Sequence, residues 1–166
     1  RQPWAWLVAM GIKPIENRTW KCPEKYIGKR ILIHAGAKWD DNHREMSRLF
    51  TPEQWKSLSR ETQLLMSGGT LPLSAIIGSV EIVDCVVNHE IIWAIKDKVF
   101  AGYDKSGWAK YKQNYNWVLA HPILFPEPIP CKGSLSFWDY PNILAETEEE
   151  GGSLYCHCRL PVKEEH

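Results

Sequence analysis

No stretch of this chain approaches the roughly 18 apolar residues that a membrane-crossing helix requires. The longest apolar stretch, Leu73 to Val87, is interrupted by Ser74, Ser79, Glu81 and Asp84. Net charge is missing as well: 20 basic residues balance 20 acidic ones across 166 positions. Proteins that grip long duplexes through many phosphates are usually distinctly basic, so strong duplex DNA binding is not expected. A pocket for one nucleotide or a short single strand is compatible with neutrality. Paired cysteines are also lacking. The count is 5, odd and without framework spacing, which argues against a disulfide-stapled secreted domain.

Cys22, Cys85 and Cys131 stand singly and read as packing residues or free thiols. Cys156-His157-Cys158 is spaced C-x-C with no second pair, unlike the paired ligands of structural zinc, so no metal is expected. The chain holds no P-loop, no G-x-G-x-x-G after a strand, no G-x-S-x-G and no H-E-x-x-H. Nucleotide hydrolysis at a P-loop and the common hydrolase frameworks find no support, and no cofactor is expected. With no apolar leader segment near Arg1, the expectation is a soluble, cytoplasmic protein.

Tryptophan is plentiful, at 9 residues. Trp4, Trp6, Trp20 and Trp39 gather around the most unusual segment of the chain, in which an apolar run of helical length stops at Gly11. Lys13, Glu16, Asn17 and Arg18 follow, interleaved with Ile12 and Ile15 and closed by Trp20. Charges among aromatics are costly to desolvate unless they pair with one another or with a ligand. In an extended segment Glu16 and Arg18 share one face and Lys13 falls on the other. A turn at Pro14 would instead bring Lys13 beside Glu16. Lysine, carboxylate and arginine in one cleft can polarise a carbonyl, orient a water and hold a phosphate. The plainer reading is an ion-pair network tying the first helix to the sheet. Aromatic walls around them suit a nucleobase, and Trp4, Trp20 and Trp39 are the candidate walls, although any one tryptophan can simply be core. His34 ends a strand before the small residues Ala35-Gly36-Ala37, where a ligand can approach the backbone. Glu81 sits in the most apolar strand, so it faces an open side, is paired, or belongs to a site.

The spacing predicts a helix over Pro3–Met10, an extended Ile15–Trp20, a strand over Arg30–Ala35 and helical character over Trp39–Phe50. A second helix starts at Thr51-Pro52-Glu53-Gln54, with Thr51 as its cap, and runs to Gly68-Gly69. Ala75–Val87 reads as the strongest strand and Asn116–Phe125 as another. Trp108, Tyr111 and Tyr115 stand near helical spacing, Pro126–Pro130 reads as a turn, and Ser134–Tyr140 as a last short strand. The order indicates an α+β protein, with a mostly antiparallel, barrel-like sheet and helices packed against it. Residues 1–141 are expected to form the domain and 142–166 a polar, acidic tail.

Arg1-Gln2-Pro3-Trp4-Ala5, Gly11-Ile12-Lys13, Glu16-Asn17-Arg18-Thr19-Trp20 and Ile33-His34-Ala35 resemble the ASCH domain family, named for homology to an activating signal cointegrator. The likeness continues through Ile77-Gly78-Ser79-Val80-Glu81-Ile82 and Pro128-Ile129-Pro130-Cys131-Lys132-Gly133, and its most specific part is G-x-K-x-x-E-x-R at Gly11 to Arg18. The chain looks most like the small stand-alone branch that includes the endothelial-overexpressed lipopolysaccharide-associated factor. The resemblance implies a PUA-like fold, a β-barrel flanked by helices, in a superfamily that mostly handles RNA or modified bases. One bacterial branch is an amidohydrolase on N4-acetylcytidine, and other members are ribonucleases or nucleic-acid binders. The amidohydrolase places a threonine nucleophile three residues after its lysine, and here that position is Glu16.

The first expectation is therefore a module that binds a nucleobase or nucleotide of RNA or single-stranded nucleic acid, through Trp4, Asn17, Arg18, Trp20, His34 and Trp39. The rival is a hydrolase of a modified nucleoside or an RNA phosphodiester, with Lys13 polarising and Glu16 activating water. A protein-interaction scaffold is the third reading.

Overall fold

The computed structural model describes residues 1–40, 45–68, 70–134 and 137–140. The expected tail and its Cys156-His157-Cys158 cluster lie outside the described residues.

The first helix, α1 (Trp4–Ala9), forms where the sequence predicts and ends for a visible reason. Gly11 takes φ +73°, and its N–H reaches back to the Val8 carbonyl (2.9 Å) while that of Ile12 reaches Leu7 (3.0 Å). This paired closure needs a left-handed residue after the helix, which glycine adopts without the usual penalty. At the other end the Gln2 Oε1 accepts the Trp6 N–H (3.0 Å). The chain then turns at Lys13-Pro14 into strand β1 (Ile15–Arg18), passes a single 3-10 turn at Glu24–Tyr26 and enters β2 (Lys29–Ala35).

Three short helices follow, α2 (Met46–Leu49), α3 (Pro52–Ser57) and α4 (Arg60–Gly68). Thr51 and Gln54 cap α3 reciprocally, each side chain meeting the other's backbone N–H, as the Thr-Pro-Glu-Gln signal predicts. The expected continuous helix to Gly68 is instead broken at Leu58, whose ψ of 139° is extended. Ser59 starts α4 afresh, its hydroxyl accepting from Thr62 N (3.2 Å).

Strands β3 (Ala75–Val86), β4 (Lys98–Tyr103), β5 (Ala109–Gln113) and β6 (Tyr115–Pro130) complete the fold. One antiparallel sheet has the order β1-β6-β3-β2, and β4 pairs with β5 in a separate ribbon. The protein is thus α+β with mostly antiparallel strands in two sheets and few helices. The barrel expected from the sequence is not closed among the described residues: no pairing joins β1 to β2 across the open ends of the four-stranded sheet.

Three further expectations are corrected. Trp108, Tyr111 and Tyr115, near helical spacing, fall in no helix: Trp108 precedes β5, Tyr111 lies within it and Tyr115 opens β6. The proline-rich Pro126–Pro130 does not turn but extends β6, pairing Ile129 with Ile76 and Pro130 with Ala75. Beyond Val118 only β3 pairs with β6, so one side of this stretch needs no amide donors and alternate prolines are tolerated there. Phe137 to Tyr140 adopts no strand.

Helix α1 is buried on two sides. Val8 and Ala9 pack on Ile33, Ile77, Val80 and Trp117 of the sheet, while Leu7 joins Ile15, Phe50, Met66 and Trp93 under the helical insert. Each large apolar side chain buried this way contributes roughly 1.5–3 kcal/mol. Residue Gly78 makes the close approach possible: a Cβ there would overlap the Ile123 carbonyl oxygen and lie 3.2 Å from the Ala9 Cβ. No helix among the described residues is long and apolar enough to cross a membrane.

Candidate functional site

The turn after Gly11 decides how the charged segment is arranged. Lys13 precedes β1 and swings beside Glu16, the second of the two arrangements open to the sequence. Its ammonium donates to the Ile15 carbonyl and lies 3.4 Å from Glu16 Oε2. The other carboxylate oxygen of Glu16 holds Arg18 Nη2 at 2.9 Å. Glu16 and Arg18 alternate onto one face of β1, so the carboxylate bridges a cation beneath the strand and a cation at its surface. Lys13 is only 5 % exposed. Burial pushes its pKa below the ordinary lysine range, opposed by the attraction of Glu16. The Arg18 side chain remains half exposed, at 49 %.

Glu16 and Arg18 face a cleft of about 440 Å³, within the range of small-ligand sites. Its floor is apolar, built from Val8 of α1, Ile31 and Ile33 of β2, Val80 of β3 and Leu119 of β6, and its walls are aromatic: Trp4, Trp20, Trp117, Phe137, Trp138 and Tyr140. Trp4 is fixed by its indole N–H, which donates to Asp40 Oδ2 (3.1 Å), and by Lys13, 6.0 Å from the ring centre. Trp20 stands edge-on to Trp117 at 4.6 Å, and Trp117 stacks with Phe137 at 5.6 Å. These contacts hold the rings in place before any ligand arrives.

His34 also lines the cleft. Its Nε2 lies 3.1 Å from the Cys131 carbonyl, and because a carbonyl only accepts, that nitrogen carries the proton. The ring meets Trp138 edge-on at 5.7 Å. The backbone at Gly133 lies so close to the imidazole that a Cβ would overlap it. His34 therefore ties the strand end to the segment carrying Trp138.

Of the residues singled out in the sequence, Trp4, Glu16, Arg18, Trp20 and His34 are brought together around the cleft. Lys13 is behind it, linked to it through Glu16 and the Trp4 ring. Asn17 points to the opposite face of β1, where its amide donates to the Trp93 carbonyl (2.9 Å). Its oxygen accepts from Ile95 N (3.0 Å) and Asn116 Nδ2 (2.9 Å), so its bonding capacity is taken up in structure. Trp39 packs in the second core cluster beneath the helical insert. Glu81 is paired loosely with His121 at 3.9 Å, away from the cleft. The walls Trp117, Phe137, Trp138 and Tyr140 carry no local signal in the sequence, since only the fold brings them within reach of residue 18.

The three described cysteines are free thiols, and burial pushes Cys22 up to about 11, which leaves it protonated and unreactive at neutral pH. Among the described residues no group of His, Cys, Asp or Glu is placed to hold a metal.

An antiparallel α+β protein with an aromatic, arginine-edged cleft is the class that fold and site define. The model of the ASCH domain matches residues 1–129, and the chain belongs to the ASCH domain family, which is generally associated with RNA binding. Among curated proteins no match to the chain is found.

Proposed function

We propose that this cleft binds a nucleobase or nucleotide of RNA or single-stranded nucleic acid, in a cytoplasmic protein of the stand-alone ASCH branch with a PUA-like domain. One observation carries the reading. A cleft of nucleotide size has ring walls for a base and, at its edge, an arginine whose guanidinium is oriented by Glu16 while its side chain stays half exposed. An aromatic surface stacks any base at roughly 1–3 kcal/mol. An oriented guanidinium supplies paired donors to a phosphate or a base carbonyl. Glu16 keeps Arg18 from collapsing onto the rings and can accept from an exocyclic amine.

Arg18→Ala tests this. Its surface position predicts an unchanged melting temperature, together with loss of nucleotide binding by at least tenfold in a calorimetric titration. Wild-type affinity in the variant would count against the reading. If the variant melts and the wild type takes no nucleotide, the network is structural.

Hydrolysis of an acylated nucleoside or a phosphodiester is less well supported. Lys13 would have to polarise the scissile group, but its ammonium is engaged by Ile15 and Glu16 and does not line the cleft. Glu16→Gln separates the two readings, because turnover in an enzyme would be lost while ligand binding is largely kept.

A further inference from the structure

The β4–β5 ribbon contributes no residue to either core cluster, and among the described residues most of its side chains are exposed. Phe100, Tyr103, Trp108 and Tyr111 are 55 to 75 % exposed, which is unusual for four large rings in one hairpin. They are not scattered. Phe100 pairs directly with Tyr111, and their rings are 6.1 Å apart. A bulge at Ala101-Gly102, with Gly102 at φ +100°, adds one residue between Phe100 and Tyr103. Regular alternation would send Tyr103 to the far side. The bulge returns it to the side of Phe100, 5.3 Å from that ring.

The same segment carries Lys96, Lys98, Lys105, Lys110 and Lys112 against Asp97 and Asp104, a concentration of positive charge in a chain whose net charge is zero. No ion pair among the described residues engages any of the five lysines. Asp104 is occupied in the turn, its carboxylate accepting from Ser106 N (2.8 Å) and Trp108 N (3.0 Å). The ribbon is also joined to the cleft. Arg18 at the cleft edge pairs with Tyr115, and the four residues from Tyr115 back to Tyr111 span at most about 14 Å.

We propose that the β4–β5 ribbon is a second contact for the nucleic acid, stacking the bases of the single strand that flanks the nucleotide held in the cleft. Exposed rings offer π-faces that take any base. Lys98 shares the Phe100 side by alternation, and Lys110 and Lys112, on the reverse side of this narrow two-stranded ribbon, reach round its edge to the phosphates. The charge favours a polyanion over an apolar protein partner. The inference rests on the cleft reading, since the strand is taken to leave the cleft past Arg18.

The test is fluorescence anisotropy of a labelled single-stranded RNA of about 12 nucleotides, run beside a mononucleotide titration. Tyr103→Ala with Trp108→Ala is expected to weaken the strand about tenfold or more and to leave both the mononucleotide affinity and the melting temperature unchanged. Lys98→Gln, Lys110→Gln and Lys112→Gln together should flatten the salt dependence of strand binding by about 2 in log–log slope, near 0.7 for each phosphate no longer neutralised. Wild-type strand affinity and slope in both variants, a wild type that binds no strand, or equal affinity for a duplex overturns the proposal. Strand binding with this dependence, but no mononucleotide binding, supports the ribbon and overturns the cleft reading instead.

Discussion

Replacing Glu16 by alanine is expected to cost about 3 kcal/mol of stability, read as a fall in the urea midpoint at unchanged slope. The substitution removes a side chain that is itself partly exposed, so its own burial is a small part of the loss. The larger part is the Lys13 ammonium, left buried with the Ile15 carbonyl and the Trp4 ring but no carboxylate beside it. Removing one partner of a buried pair strands an uncompensated charge, at about 3–5 kcal/mol, and the partial exposure of Glu16 places this case at the low end. The loss should depend on pH in a definite direction. Burial already lowers the Lys13 pKa below its ordinary value of 10.5. Between the folded value and the unfolded one, the unfolded chain holds more protons, so stability rises with pH. Without Glu16 the folded value drops further and that window widens downward, and the variant regains stability relative to wild type as the solution becomes alkaline. Combining Glu16→Ala with Lys13→Met should recover most of the loss at neutral pH, because no buried charge then remains. A variant as stable as wild type at neutral pH, with no alkaline recovery, would show that Lys13 does not depend on its carboxylate.

Gly78→Ala is the second large effect, at least about 3 kcal/mol, the upper part of the range for overpacked cores. The added carbon would overlap the Ile123 carbonyl oxygen, a backbone atom that cannot rotate away, and would press on Ala9 at 3.2 Å. Either β6 shifts along β3 or α1 lifts from the sheet. Both movements disturb the cleft, since α1 carries Trp4 and Val8 and β6 carries Trp117 and Leu119. The expected result is a lower melting temperature together with weakened nucleotide binding. Unchanged stability would mean that the sheet absorbs a methyl group at its tightest point.

These two positions show what the sequence makes legible. The helix stop at Gly11, the capping pair Thr51 and Gln54 and the strands around Ile33 and Ile77 are local devices, whose physical causes lie within a few residues. The charged segment is legible for the same reason, since Glu16 and Arg18 share a strand face by alternation. That alternation also places Asn17 on the opposite face, where it bonds Trp93, Ile95 and Asn116. The ribbon is not legible from periodicity. Ala109-Lys110-Tyr111-Lys112 alternates apolar and polar residues, but over four residues only, and the spacing of Trp108, Tyr111 and Tyr115 across it mimics a helix. The prolines of β6 read as a turn because a turn is their usual place, and only the pairing pattern shows that one side of that strand needs no donors. The far walls of the cleft, Phe137, Trp138 and Tyr140, lie more than a hundred residues from Arg18 in sequence and follow no regular element.

Nucleotide binding in the cleft is tested most directly by titrating the wild-type protein with the common ribonucleotides and following tryptophan fluorescence. Trp4, Trp20, Trp117 and Trp138 all line the cleft, so a stacked base must change their emission. The predicted result is a saturable quench below about 1 mM with at least one nucleotide. No saturable change with any of them would contradict it.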